Sequence, residues 1–451
     1  MDGWNDNAGL EPQPFEYATL EYRSNGPQAG QLFDKRQADA IVRRLNELVA
    51  QHRPIMLVIF AHGWHHNAYE NHDASKADNI ETTGDRPYNQ NLNLLAFKHI
   101  LAKTKYELAA QGEPSRTVFG IYIGWNGGPP NNYLNAARIG RAADRIGSSK
   151  EFAADMARIN LAANPPGDVV TPVLVIGHSF GGRLLSRYML KQVEAAQGPV
   201  QPFGPRSLVV TINPAIGADA FDDLMRAGYQ DDATSQPYWI NVTSTDDWAT
   251  GKILPVAASL GRAVGLEIGI TDKVFSASAY RSIGHYGPYL THLLEMTYVP
   301  ANKKCAEVTG CFEFQDCFVP NSEKRWQSYF AAARANQRQT QWYQIDAGKQ
   351  EKVSRLFYLN PSTQCDSRFY FVDLKSIPSK PDYPGMPKWM WNIRTDKEGI
   401  NASDVTNDCL PKVDNRRKEC DKRTSAAVHN AFVQTRFVRM FLELVLAKSG
   451  T

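Results

Sequence analysis

Four almost unbroken apolar runs constrain this chain more than any other feature. They are Pro54–Ala61 (PIMLVIFA), Thr117–Trp125 (TVFGIYIGW), Thr171–Gly177 (TPVLVIG) and Ser207–Ile212 (SLVVTI). A membrane-spanning helix needs roughly 20 apolar residues, and these runs are far shorter. They also lack the apolar–polar alternation of a sheet with one wet face. Runs of this kind suit strands covered on both faces, as in a parallel sheet.

Helix-period segments separate the runs. Asp34–Gln51 places Ala38, Ile41, Val42, Leu45, Leu48 and Val49 on one face. Asn91–Ala110, the long Ala-rich Asn132–Asn164 and the segment from about Phe180 to Ala196 have helical spacing too. An alternating stretch, Phe15–Tyr22, precedes the series, and Tyr238–Thr243 (YWINVT) extends it. Strand–helix alternation over the first 250 or so residues predicts the α/β class, with a mostly parallel central sheet and helices on both faces. In such sheets ligands gather beyond the carboxyl ends of the strands.

Past residue 250 the alternation fails. Ile253–Ile270 is apolar and contains glycine, and residues 300–385 are rich in aromatics, prolines and cysteines. This stretch reads as a cap inserted between the last two strands. Lys388–Arg394 (KWMWNIR) then reads as the final strand and Asn430–Lys448 as a closing amphipathic helix. The expected division is an α/β core over 1–252, a cap over 253–385, and the last strand, a disulfide loop and the closing helix of that core over 386–451.

Charge argues against nucleic acid as a partner. The net charge is +3, and the acids and bases are interspersed. No transmembrane segment is expected. The opening MDGWNDNAGLEPQ is polar and acidic, unlike a signal peptide. All six cysteines, Cys305, Cys311, Cys317, Cys365, Cys409 and Cys420, fall in the last third of the chain. An even count confined to one loop-like region reads as a disulfide set, with Cys409–Cys420 stapling a charged loop. That favours an exported or periplasmic setting; six reduced thiols in the cytoplasm are the alternative.

Chemistry concentrates after the strands. Gly177-His178-Ser179-Phe180-Gly181 fits G-x-S-x-G, preceded by VLVI and followed by a helical segment. A sharp strand-to-helix turn would lift Ser179 Oγ above the sheet edge, with small neighbours letting the chains pass. His62-Gly63-Trp64 follows the strand IMLVIFA, where such folds place one oxyanion-hole amide; the donors would be the Trp64 and Phe180 backbones. A rival reading makes His62, His65, His66, His72 and Asp73 a metal cluster, although their spacing fits no helical ligand pair.

Asp246 and Asp247 follow YWINVT, in the Ser–acid–His order expected of the acid that holds a catalytic imidazole. Adjacent side chains point apart, and Asp247 is the preferred member. His429 is the first candidate for the imidazole because it lies between the last strand and the last helix. His292, and then His285, both in GHYGPYLTHLL, are the alternatives.

FAHGWHHNA, NQNLNLLAFKHIL, VLVIGHSFGGRLL, INPAIGADAF, VTSTDDWAT and VHNAFVQTRFVRMFLEL together resemble a poorly characterised bacterial family of esterase- or lipase-like α/β hydrolases. The resemblance covers about residues 15–300 and 385–448. It implies the α/β-hydrolase fold and a triad of Ser179, Asp247 and His429. It also makes GHYGPYLTH a recurring motif, which keeps His292 in play. The Cys-bearing loop before His429 is longer than that pattern.

The expected function is therefore ester hydrolysis through an acyl-enzyme, without cofactor or metal, on a small-molecule or lipid ester. A lipid substrate would entail transient contact with a membrane surface. A non-catalytic binding protein of the same fold, or a serine hydrolase acting on amides or thioesters, are the alternatives. The sequence leaves the oligomeric state open.

Overall fold

The computed structural model describes residues 15–64, 92–110, 112–127, 136–167, 170–227, 237–247, 249–254, 277–295, 343–344, 352–359, 368–374, 387, 389–395, 441–442 and 444–446. These fall into two compact units, one running to Ile216 and the other beginning at Gly217.

The first unit holds β1 (Glu16–Tyr22), α1 (Arg36–Ala50), β2 (Ile55–Ala61), α2 (Leu92–Ala110), β3 (Thr117–Trp125), α3 (Ala136–Gly147), α4 (Lys150–Ala163), β4 (Val173–His178), α5 (Phe180–Ala196) and β5 (Ser207–Ile212). Its strands lie in the order β1-β3-β2-β4-β5, every neighbouring pair parallel. Every residue of β2, β3, β4 and β5 is buried, as expected of unbroken apolar strands covered on both faces.

The alternation of strand and helix places this chain in the α/β class. One helix differs from its expectation. The described part of the run 132–164 forms two helices rather than one, because Gly147 ends α3 and Ser149 starts α4 by accepting the Phe152 N–H on its Oγ at 3.0 Å.

The second unit contains α6 (Asp222–Ala227), β6 (Trp239–Ser244), β7 (His292–Glu295), β8 (Tyr343–Gln344), β9 (Lys352–Leu359), β10 (Arg368–Leu374) and β11 (Met390–Thr395). Strand β11 lies between β6 and β7, parallel to both. Antiparallel pairings then run from β7 to β10, β9 and β8. Thus the segment between β6 and β11 supplies sheet strands of its own. Composition alone gives no sign of them. Phe441, Leu442, Leu444, Val445 and Leu446, from the expected closing helix, are helical and buried. All six cysteines lie outside the described residues, so the disulfide expectation falls outside them too.

Candidate active site

Strand register brings two loops of the first unit together. Ala61 at the end of β2 pairs with Gly177 near the end of β4, so His62-Gly63-Trp64 and His178-Ser179-Phe180 leave the sheet side by side. Ser179 has φ 54° and ψ −117°, a conformation that costs a non-glycine residue about 1–3 kcal/mol. The surroundings hold it there. Its N–H donates to Ile212 O at 3.0 Å, and its carbonyl accepts from the N–H groups of Arg183 and Ala215, each at 3.0 Å. Its Oγ makes no capping bond to α5, although Ser179 occupies the cap position. Serine at a helix start ordinarily spends its hydroxyl that way, and here the hydroxyl is spared.

The two loops are in contact at the backbone. A Cβ on Gly63 would lie 2.8 Å from Ser179 Cβ, and one on Gly181 would lie 2.1 Å from Ala61 O. Only glycine permits this approach. The Trp64 and Phe180 rings meet edge to face, 6.0 Å apart. Phe180 is the first residue of α5, where an N–H has no intrahelical acceptor and the helix end favours negative charge.

His62 is committed to this loop. Trp125 N–H donates to Nε2 at 2.9 Å, so Nε2 is unprotonated and Nδ1 carries the proton, which it donates to Gly63 O at 2.7 Å. The ring is fully buried and stacks on Trp125 at 5.5 Å with 9° between planes. Both nitrogens are therefore occupied by backbone, which leaves neither for a metal. His65, His66, His72 and Asp73 lie outside the described residues. Among the described residues no group of three or more His, Cys, Asp and Glu side chains converges as metal ligands would.

A charged cluster supports the elbow from behind. Arg183, in the first turn of α5, sends Nε and Nη2 to the carboxylate of Asp144 on α3 at 2.8 and 2.6 Å, and Nη1 to Ala215 O at 3.1 Å. Arg187 Nε also donates to Asp144, at 2.9 Å. Burial opposes ionisation of Asp144, but Arg183 and then Arg187 outweigh it and hold the carboxyl below its ordinary value. Nothing in the spacing of the sequence announces this pair, because α3 and α5 are separated by α4 and β4.

The second unit carries both candidate acids and two of the imidazole candidates. Asp246 is exposed and Asp247 buried. Asp247 Oδ1 accepts from Ala249 N at 3.0 Å and Thr250 N at 3.4 Å, capping the short helical turn Ala249–Ile253, and Thr250 Oγ1 donates to Oδ2. Thr250 Oγ1 lies 3.4 Å from His285 Nε2. A Cβ on Gly251 would fall 3.1 Å from the same ring, so the imidazole rests on bare backbone. Burial lowers the His285 pKa; the Asp247 charge raises it, and Arg394 and Arg281 lower it further.

Several bonds fix the segment that bears His285. Asn392 Nδ2 on β11 donates to Ile283 O and Tyr289 O, both at 3.0 Å, and Asn392 Oδ1 accepts from Asn241 Nδ2 at 2.6 Å. Tyr289 OH donates to Asp222 Oδ1 at 2.6 Å, and Ser278 Oγ lies 3.3 Å from Oδ2. His292, by contrast, is a strand residue. It is buried in β7 against the Trp391 ring at 4.5 Å, and burial pushes its pKa down to about 3. His429 lies outside the described residues.

No family model matches this chain, and no curated protein does. Among solved structures it is similar to an uncharacterized protein from Pseudomonas aeruginosa, at 12% identity and a TM-score of 0.22, over 51% of this chain and 41% of that one. The chain thus spans less than half the length of that protein.

Among the described residues no helix is long and apolar enough to cross a membrane.

Proposed function

We propose that this chain is a serine hydrolase of the α/β-hydrolase type that cleaves carboxylic esters, with Ser179 as nucleophile, Asp247 as the triad acid and His285 as the base. The observation that carries this reading is the backbone of Ser179. A serine forced to positive φ between β4 and α5, its hydroxyl unused as a cap and the HGW loop pressed against it, has no evident structural role that repays the strain.

In this reading His285 takes the Ser179 proton as Oγ attacks the ester carbonyl. The Trp64 and Phe180 amides stabilise the oxyanion, the alcohol leaves with the proton from His285, and water then hydrolyses the acyl-enzyme. Of the two candidate imidazoles among the described residues, His285 suits the role better. It lies in the field of the buried Asp247 carboxylate, whereas a base with a pKa near 3 is poorly matched to neutral pH. The substrate in this reading is a small-molecule or lipid ester.

A fluorophosphonate probe tests the nucleophile. The folded chain should form one adduct, on Ser179, and Ser179→Ala should abolish both labelling and turnover. Absence of an adduct on folded protein would favour a non-catalytic binding protein. Matched ester, thioester and amide acyl series identify the leaving group. His285→Ala, His292→Ala and His429→Ala, assayed together, identify the base. Loss confined to His429→Ala would reject His285.

A further inference from the structure

The acid and imidazole of the second unit are joined through a hydroxyl. Thr250 Oγ1 donates to Asp247 Oδ2 and lies 3.4 Å from His285 Nε2. A hydroxyl has a single proton to give. With that proton on the side of the carboxylate, Oγ1 faces His285 with a lone pair, and the pairing is satisfied when Nε2 carries a hydrogen. A neutral imidazole with Nε2–H has its lone pair on Nδ1.

We propose that Thr250 is a positioning residue, coupling Asp247 to His285 and fixing the Nε2–H tautomer so that Nδ1 is the basic nitrogen. The inference rests on the assignment of His285 as the base. During acyl transfer Nδ1 would gain the serine proton and later release it to the leaving group. The resulting imidazolium would be stabilised by the Asp247 charge, felt through the polarised Thr250 O–H. Thr250 keeps its own proton throughout, so it serves as an oriented dipole rather than a relay. Three features of the structure favour this arrangement. Asp247 Oδ1 is already occupied by two backbone N–H groups. Thr250 is buried, so water does not compete for its hydroxyl. Gly251 lets the ring approach the same turn from which the hydroxyl projects.

The experiment uses the full chain with a p-nitrophenyl ester and a fluorophosphonate probe, alongside ¹⁵N NMR of labelled histidine. In the parent protein the His285 resonances should report Nε2–H with Nδ1 unprotonated. Thr250→Val should lower kcat by about 100-fold, the scale of a misdirected general base. Thr250→Ser should restore most of it, because serine offers the same oxygen. Combined with Asp247→Asn, Thr250→Val should add little, since the two residues act through one another. If Thr250→Val does not fold, Thr250→Ala takes its place against Thr250→Ser.

An Nδ1–H tautomer in the parent protein would overturn the proposal. So would full kcat in the valine or alanine variant with Ser179 still labelled, and both results would leave the hydrolase reading intact. Failure of the parent protein to label at Ser179 would instead remove that reading itself.

Discussion

At the scale of single residues, the candidate site depends on atoms that are missing. Gly63 shows this most directly. Its Cα sits where a Cβ would meet Ser179 Cβ at 2.8 Å and His178 O at 3.1 Å. Both obstacles belong to or adjoin the strained turn, so neither can withdraw without moving Ser179. Gly63→Ala should therefore cost about 1–3 kcal/mol of stability, the usual cost of overpacking. The same substitution should lower kcat/KM by roughly 100-fold, because a displacement near 1 Å at a reacting centre has that effect. Urea titration and ester kinetics on the same preparation would check both. A variant that loses stability but keeps its kcat/KM would show that the loop contact does not govern the reactivity of Ser179.

Legibility at this scale was uneven. Ser179 could be read because a strand–turn–helix pattern and a glycine pattern coincide on it. That His285 rests beside Thr250 and Gly251 could not be read, because it depends on which segment the fold lays there. The available signal was indirect: Thr250-Gly251, directly after the acid, supplies a hydroxyl and a bare backbone against which the His285 ring can rest.

At the scale of elements, α3 and α5 act as a brace for the elbow. Arg183 joins three things at once: the Asp144 carboxylate, Ala215 O and, through its own N–H, Ser179 O. Its side chain is 4% exposed and that of Asp144 18%, so water screens the pair only partly. Removing one partner of a buried pair typically costs 3–5 kcal/mol because the other charge is stranded. Asp144→Ala should sit near the lower end, about 3 kcal/mol, given that residual exposure. Arg183→Met should cost less, because Arg187 still pairs with Asp144. Chemical denaturation of both variants would order them, and the reverse order would refute the stranded-charge account.

The elements themselves were readable where local pattern decides them. Strands β3 and β5 and helix α5 begin and end where apolar runs and helical spacing place them. Strands β8, β9 and β10 were not readable, since antiparallel pairing is fixed by partners distant in sequence. RFYFVDL gains its role only once β7 and β9 lie on either side of it.

At the scale of the whole molecule, acid should destabilise this protein through imidazoles before carboxylates. His292 is buried in the second unit with its pKa near 3, against about 6.5 in an unfolded chain. Its folded pKa is depressed, so the unfolded state binds a proton that the native state refuses. Stability is then fully present above pH 6.5 and is lost as pH falls from there toward 3. Linkage puts the loss at about 2 kcal/mol between pH 7 and 5 for this one group. His285, also lowered by burial, adds to the loss with the same sign. Asp144 acts in the same direction only at lower pH, where its depressed carboxyl finally protonates. Glu21 and Asp155, both raised by burial, contribute with the opposite sign. The difference between the parent protein and His292→Gln over pH 7 to 5 isolates this one imidazole, because the other groups contribute to both. Urea titrations at the two pH values should show the parent protein losing about 2 kcal/mol more than His292→Gln, whatever the absolute stability of the variant. If the two units unfold in separate transitions, the excess belongs to the one containing residues 292–295. Equal losses in parent and variant would mean that water reaches His292 in the native state, and that its low pKa does not describe the folded molecule.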